Sequence, residues 1–304
     1  MFIIQEKEIQ PYMEKQMFKR LSLEDAVEEL EVNYSHIHKS SLIDLKKQVD
    51  RPPLAISIGL DDREYGVDRV RFPIRFGTFG NISLIKGEEK TRKSFLKSLL
   101  LSCAIGGNAN NYCQNIVGHD LSDKYVFDID TEQGDYDVWL AASRIPKMVG
   151  TYPENYMPIA LRGKNPNEIC GYLEWLFMES EYKNKLGVVS IDGFVDCMND
   201  FNSQTESKEF ITKLMDWSKV SMSHITGILH VNPGSEKARG HAGTIIQQKC
   251  ETVVLIKDGG EYSEVICKVG RGKKFKSFAI KIDNDWLPYE YENYIPLDSG
   301  LNLQ

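Results

Sequence analysis

"GEEKTRKSFLKSLL", residues Gly87 to Leu100, opens with a glycine and reaches a Lys-Ser pair after the gap that a phosphate-binding loop requires. The pattern G-x-x-x-x-G-K-[ST] fits except at its second glycine, where this chain carries Arg92. The loop works because backbone N–H groups at a helix N-terminus wrap phosphate oxygens. Lysine adds a point charge and the hydroxyl helps to hold Mg2+. The context agrees: "ISLIKG" before it is a buried-strand type, and a helix follows through Leu101. Arg92 keeps its backbone N–H, and a helix start requires no positive φ. Its side chain points either outward or onto a phosphate.

Outward from this loop the pattern alternates. "YVFDID", "MPIALR", "GVVSID", "TGILHV" and "ETVVLIK" read as short apolar strands. Between them "YDVWLAASRI", "NEICGYLEWLFMES" and "SKEFITKLMDWSKV" read as helices. Ile169, Tyr172, Leu173, Leu176 and Phe177 form one stripe, and Phe210, Leu214 and Trp217 another. Such alternation predicts an α/β fold with a mostly parallel sheet and helices on both faces. After Lys257 the helices stop, and "EYSEVICKVGRGKKFKSFAIKI" reads as antiparallel strands around a Gly-rich turn. Residues 1 to about 50 read as a charged helical extension, with Ser22 and Asp25 as a capping box and Leu23, Ala26, Val27 and Leu30 on one face. Pro52 and Pro53 break it, so the domains are 1–50 and 51–304, the latter with a core at 74–257 and C-terminal strands at 258–290.

Two further strand ends carry carboxylates. "GVVSIDG" ends in Asp192, the arrangement of a Mg2+-holding Walker-B acid. "YVFDIDTEQG" ends in Asp130 and Glu132, where a carboxylate can orient an attacking water as general base. In open parallel sheets, ligands bind at the carboxyl ends of the strands. Asp196 reads either as a second acid near the metal or as a helix-start acid.

The bulk numbers narrow the class. No run approaches the roughly 20 apolar residues that span a bilayer, and "MFIIQEKEIQ" turns charged too early for a signal peptide, so no membrane and a cytoplasmic location are expected. A net charge of −7 leaves nucleic-acid contact to a local basic patch. Six cysteines without a C-x-x-C pair read as reduced and mostly buried. His36 and His38 have no third ligand at convincing spacing and read as a solvated pair. "RGKKFK", Arg271 to Lys276, reads either as a contact to a phosphate backbone or as a solvated turn.

From about residue 74 to 290 the chain resembles the RecA-like P-loop ATPases of the plasmid RepA type, in particular a branch of AAA ATPases on mobile elements and phages. "GTFGNISLIKGEEKTRKSF", "FDIDTEQG", "VVSIDGFVD" and "ILHVNPGSEKARGHAGTIIQQKCETVV" carry the resemblance. The branch often has Arg or Lys before the P-loop lysine, as at Arg92. The resemblance implies a RecA-like core that hydrolyses ATP with Mg2+, acts on nucleic acid, DNA ahead of RNA, in replication or mobilisation, and assembles as a homo-oligomer, a hexameric ring included. It implies a nucleotide loop of Gly87, Glu88, Glu89, Lys90, Thr91, Arg92, Lys93, Ser94 and Phe95, with Ser94 and Asp192 on the metal. Glu132 becomes the catalytic glutamate, and His230 and Asn232 the γ-phosphate sensor. Arg239, Lys249 and Arg271 become candidates for DNA contact or an in-trans finger. The branch usually has Gln and Lys around that asparagine, where this chain has Val231 and Pro233. A nucleotide-binding DNA loader or clamp with little hydrolysis is the alternative. A P-loop small-molecule kinase fits less well, for lack of a lid-like arginine cluster.

Overall fold

The computed structural model describes residues 32–65, 68–232, 234–238 and 240–296. The chain divides into Met1–Arg51 and Pro52–Gln304. In the first unit the described part carries one helix, α1 (Tyr34–Ser41), capped by Asn33, with no buried residue. Residues 42–51 are not helical, so the expected helical reading does not extend over them. The Ser22 capping box and its apolar face lie outside the described residues.

The second unit is built on a nine-stranded sheet. Its strands are β3 (Ile82–Gly87), β5 (Tyr125–Asp130), β6 (Tyr156–Ala160), β7 (Leu186–Asp192), β8 (His224–His230), β9 (Thr252–Asp258), β10 (Ser263–Gly270), β11 (Phe278–Ile282) and β12 (Pro288–Glu290). Their order is β12-β11-β10-β9-β3-β8-β7-β5-β6. From β9 to β6 every pairing is parallel, and from β9 to β12 every pairing is antiparallel. The chain is thus α/β with a mostly parallel sheet.

Both faces of the sheet are covered. Because successive strand residues point to opposite faces, Leu84, Val189 and Val253 pack into one core cluster and Ile85, Val188 and Val254 into the other. On the first face lie α5 (Pro166–Met178), α6 (Gln204–Ser221) and α7 (Gly240–Lys249), through Leu173, Leu214 and Ile246 among others. Asn165 and Glu168 make a complete capping box with Pro166 in the first turn, which starts α5 where the sequence turns apolar. On the second face lie α2 (Lys93–Ile105) and α4 (Arg144–Val149), with α3 (Asp135–Ala142) preceding α4. Ser143 divides the single helix expected over "YDVWLAASRI" into these two.

A second, three-stranded antiparallel sheet, order β2-β1-β4, comprises β1 (Leu54–Tyr65), β2 (Asp68–Thr78) and β4 (Ile116–Gly118). Only the start of β1 is legible in the sequence; its outer half and that of β2 are charged and, Asp61 apart, mostly exposed, and carry no clean alternation. The inner half supplies Ile56, Ile58 and Phe76 to the core that also holds Leu99 and Leu100 of α2. That is why α2 is apolar on nearly every side, and why truncating Leu99 to alanine would cost about 2–5 kcal/mol. A second difference is α7, over "GHAGTIIQQK", which is not among the helices read from the sequence; Ala242, Gly243 and Ile246 are buried on its face.

Candidate functional site

The buried strand β3 delivers Gly87 to the exit edge of the sheet. A side chain there has no room: a Cβ would stand 2.6 Å from Ile256 Cγ2, 2.7 Å from the Ile256 carbonyl oxygen and 2.7 Å from Thr91 Oγ1. Thr91 Oγ1 donates to the Glu88 carbonyl at 2.8 Å and closes the loop on itself. Lys90 and Arg92 both take positive φ, 63° and 70°. Arg92 therefore adopts the left-handed conformation for which the loop pattern keeps a glycine, against the expectation that a helix start needs none. For an L-residue this costs about 1–2 kcal/mol. Its side chain supplies the offset. Nη1 donates to Asp258 Oδ1 (3.0 Å), Tyr262 O (3.1 Å) and Ser263 Oγ (3.0 Å), and Nη2 to Gly260 O (2.7 Å). Of the two orientations open in the sequence, neither fits fully: the guanidinium ties the loop to the turn between β9 and β10.

Lys93 opens α2. Its Nζ donates to the Gly87 and Glu88 carbonyls at 3.1 and 2.6 Å and lies 3.2 Å from His230 Nδ1. His230 Nε2 lies 3.6 Å from Glu132 Oε2, just beyond hydrogen-bond distance. These three residues meet because β8 stands between β3 and β7 and ends at His230. Burial pushes the Lys93 ammonium below its ordinary range, opposed by Asp192, Glu132 and Glu89. Pairing with His230 holds Glu132 below the usual carboxylate range against burial, with Lys93 and Lys97 assisting. Glu132 is presented by a turn that Asp130 ties: Asp130 Oδ1 accepts from the Glu132 and Gln133 amides (3.0 and 2.7 Å), and Oδ2 from Gln133 Nε2 (3.0 Å). Asp130 thus serves the backbone.

Asp192 ends β7 and is buried; burial pushes its carboxyl up to about 6, with Lys97 pulling the other way. Lys97 Nζ lies 2.9 Å from Asp128 Oδ1 and 3.6 Å from Asp192 Oδ2, and only 2% of its side chain is exposed. Tyr156 donates to Asp128 Oδ2 at 2.8 Å. Burial alone would lower Lys97, but Asp128, Asp192 and Asp130 outweigh it and raise it. Sequence reading missed Lys97, hidden in "FLKSLL". The available signal was its spacing, four residues after Lys93, which sets both ammonium groups on one helix face. Asp196 lies in a short 3-10 turn, and Thr131 Oγ1 donates to its Oδ2 at 2.6 Å.

Lys90, Arg92, Lys93, Ser94, Phe95, Glu132, Gln133, Asp192 and His230 line one cavity of 340 Å³. A triphosphate fits this donor set: a helix N-terminus, an ammonium and a concave wall at the size range of ligand pockets. Among the described residues no cluster of three or more His, Cys, Asp or Glu side chains has metal-holding geometry. Mg2+ bound with a triphosphate needs only one or two protein oxygens, which Ser94 and Asp192 offer.

The other expected residues lie apart. Asn232 is exposed, and its backbone closes the turn to Ser235 and Lys237. Pro233 and Arg239 lie outside the described residues. Around them the loop is tied inward: the Gly234 amide donates to Glu88 Oε1 at 3.0 Å, and Glu236 pairs with Lys257 (2.8 Å) and Lys268 (2.7 Å). Lys86 Nζ donates to the Glu236 carbonyl and to Gln247 Oε1, each at 2.6 Å. Lys249 and Arg271 sit at the entry edge of the parallel strands, where Arg271 donates to the Lys249 carbonyl (3.1 Å) and to Asn81 Oδ1 (3.3 Å). That is the far end of β3 from Gly87, about 20 Å for six residues at ~3.3 Å each. Lys273 is engaged by Asp61.

No protein-family model matches this chain, and no curated protein matches it. Among the described residues no helix is long and apolar enough to cross a membrane.

Proposed function

We propose that the chain is a Mg2+-dependent ATPase with a RecA-like core, acting on DNA in the replication or mobilisation of a mobile element or phage. One observation carries the reading. Lys93, Glu132, Asp192 and His230 come from four separate segments and converge with Ser94 on one cavity at the exit edge of the sheet. In this reading the loop amides and Lys93 bind the β- and γ-phosphates. Ser94 and Asp192 hold Mg2+, which supplies charge neutralisation on the phosphate oxygens. Glu132 takes the proton of the attacking water, and His230, between Lys93 and Glu132, senses the γ-phosphate. Catalysis by such a set is positioning and electrostatic stabilisation.

Lys93 is bonded to carbonyls of its own loop, so phosphate binding exchanges those acceptors for phosphate oxygens. The test is ATP turnover with Mg2+, with and without single-stranded DNA, beside Lys93→Ala. DNA-stimulated turnover that vanishes in the variant supports the reading. ATP binding without turnover in either condition favours the loader or clamp. Absence of ATP binding overturns both.

A further inference from the structure

Trp286 is a large aromatic side chain that the fold leaves 67% exposed and uses nowhere in either core cluster. It occupies the turn between β11 and β12, at φ 61°. A bulky residue there is a genuine outlier, and such strain persists only where the surroundings over-determine it. They do so here. Asp283 Oδ1 accepts from the Asp285 and Leu287 amides (2.9 and 2.8 Å), the Trp286 amide donates to Asp283 O (3.1 Å), and buried Leu287 anchors the turn. The backbone that carries the indole is thus held, and the indole is stacked on Phe95 with ring centroids 6.5 Å apart and planes at 27°.

Phe95 follows Ser94 and lines the phosphate cavity. The Arg144 guanidinium stands 3.7 Å from its ring centroid, a cation–π contact that sets the orientation of the ring. Through this stack the largely exposed indole of Trp286 stands next to a residue of the phosphate cavity wall. A flat, apolar, π-faced group attached to the phosphates is what such a surface binds.

We propose that Trp286, seated on Phe95, is the platform on which the nucleobase of the bound nucleotide stacks, so that the site takes nucleoside triphosphates in preference to bare polyphosphate. This rests on the nucleotide reading above. Stacking of a base on an aromatic side chain contributes a factor of roughly 5 to 150 in affinity, as judged by alanine substitution.

The test compares binding of ATP and of inorganic tripolyphosphate to the full chain, in the wild type, Trp286→Ala, Trp286→Phe and Lys93→Ala. Trp286 is exposed, so its variants are expected to fold, which circular dichroism checks. The platform predicts that Trp286→Ala weakens ATP by roughly 5-fold or more and leaves tripolyphosphate within about twofold. Trp286→Phe keeps most of the ATP affinity and loses the quenching of tryptophan fluorescence that ATP causes in the wild type. Equal ATP affinity in the wild type and Trp286→Ala, with Lys93→Ala losing both ligands, overturns the platform and leaves the nucleotide site standing. A wild type that binds neither ligand overturns the nucleotide reading, and the platform with it.

Discussion

Lys93 Nζ lies 3.2 Å from His230 Nδ1, although 137 residues separate them in the chain. The contact exists because β8 is inserted between the strand of the glycine loop and the strand of Asp192. It joins Lys93, through His230, to Glu132, 3.6 Å beyond. A change at the cavity therefore has a direct route from the loop to the acid that would handle water.

The two ends of this chain of contacts are separable by mutation. Lys93→Ala removes the ammonium proposed to bind the phosphates, and ATP binding is expected to fall below detection in equilibrium titration. Glu132→Gln leaves the loop intact, so binding should survive while turnover drops by about 10²-fold or more, the usual contribution of a general base. Normal turnover in the glutamine variant would remove Glu132 from that role.

Arg92 makes a prediction about backbone strain. Glycine at this position relieves the left-handed cost of about 1–2 kcal/mol but forfeits the bonds to Asp258, Gly260, Tyr262 and Ser263. Alanine forfeits the same bonds and keeps the cost. The expected stability order in urea unfolding is wild type above Arg92→Gly above Arg92→Ala, with the two variants about 1 kcal/mol apart. Equal midpoints for glycine and alanine would mean that φ at this position is not positive in the folded chain.

Lys97 should matter to stability out of proportion to its conventional appearance. Lys97→Met leaves the carboxylates of Asp128 and Asp192 buried without their cation, and breaking a buried pair in this way costs about 3–5 kcal/mol. Adding Asp128→Asn should recover part of the loss, because it removes one of the uncompensated charges. A denaturant midpoint unchanged in Lys97→Met would refute the ion pair.

The loop tether has a pH dependence of definite sign. Lys257 and Lys268 pull the Glu236 carboxyl down to about 2 against burial, below its ordinary value of 4.5. A carboxylate depressed in the folded state stabilises above the unfolded pKa, so the tether is fully present above about pH 4.5 and is lost as pH falls through about 2. Glu236→Gln at pH 7 mimics the acid end. Amide exchange over residues 234–238, corrected for intrinsic rates, should be faster in that variant than in the wild type at the same pH.

The local pieces of this protein were legible without a structure. Leu84 and Ile85 lie in a short apolar run, and Leu173, Leu214 and their neighbours recur at helical spacing, because burial on two sheet faces or one helix stripe imposes those periods directly on the sequence. Gly87, Lys93, Ser94, Glu132 and Asp192 stood out because each falls at a strand exit or helix start, and that position is itself a matter of local pattern.

What lay beyond the sequence depends on which distant segments touch. The left-handed Arg92 is sustained by acceptors about 170 residues further along, in a turn that no local pattern connects to it. Lys97 reads as a lysine on an apolar helix until β5 and β7 bring Asp128 and Asp192 beneath it. The outer halves of β1 and β2 show no strand period because most of their described side chains are exposed, and backbone pairing with the cross-strand pairs Arg69–Glu64 and Arg71–Asp62 holds them together. Periodicity records how a segment meets solvent, so the sequence by itself determined the apolar strands of the parallel sheet, most of the helices that cover it and the order of the chemistry-bearing residues. Strand order decides which of those residues share a cavity, and only the tertiary structure supplied it.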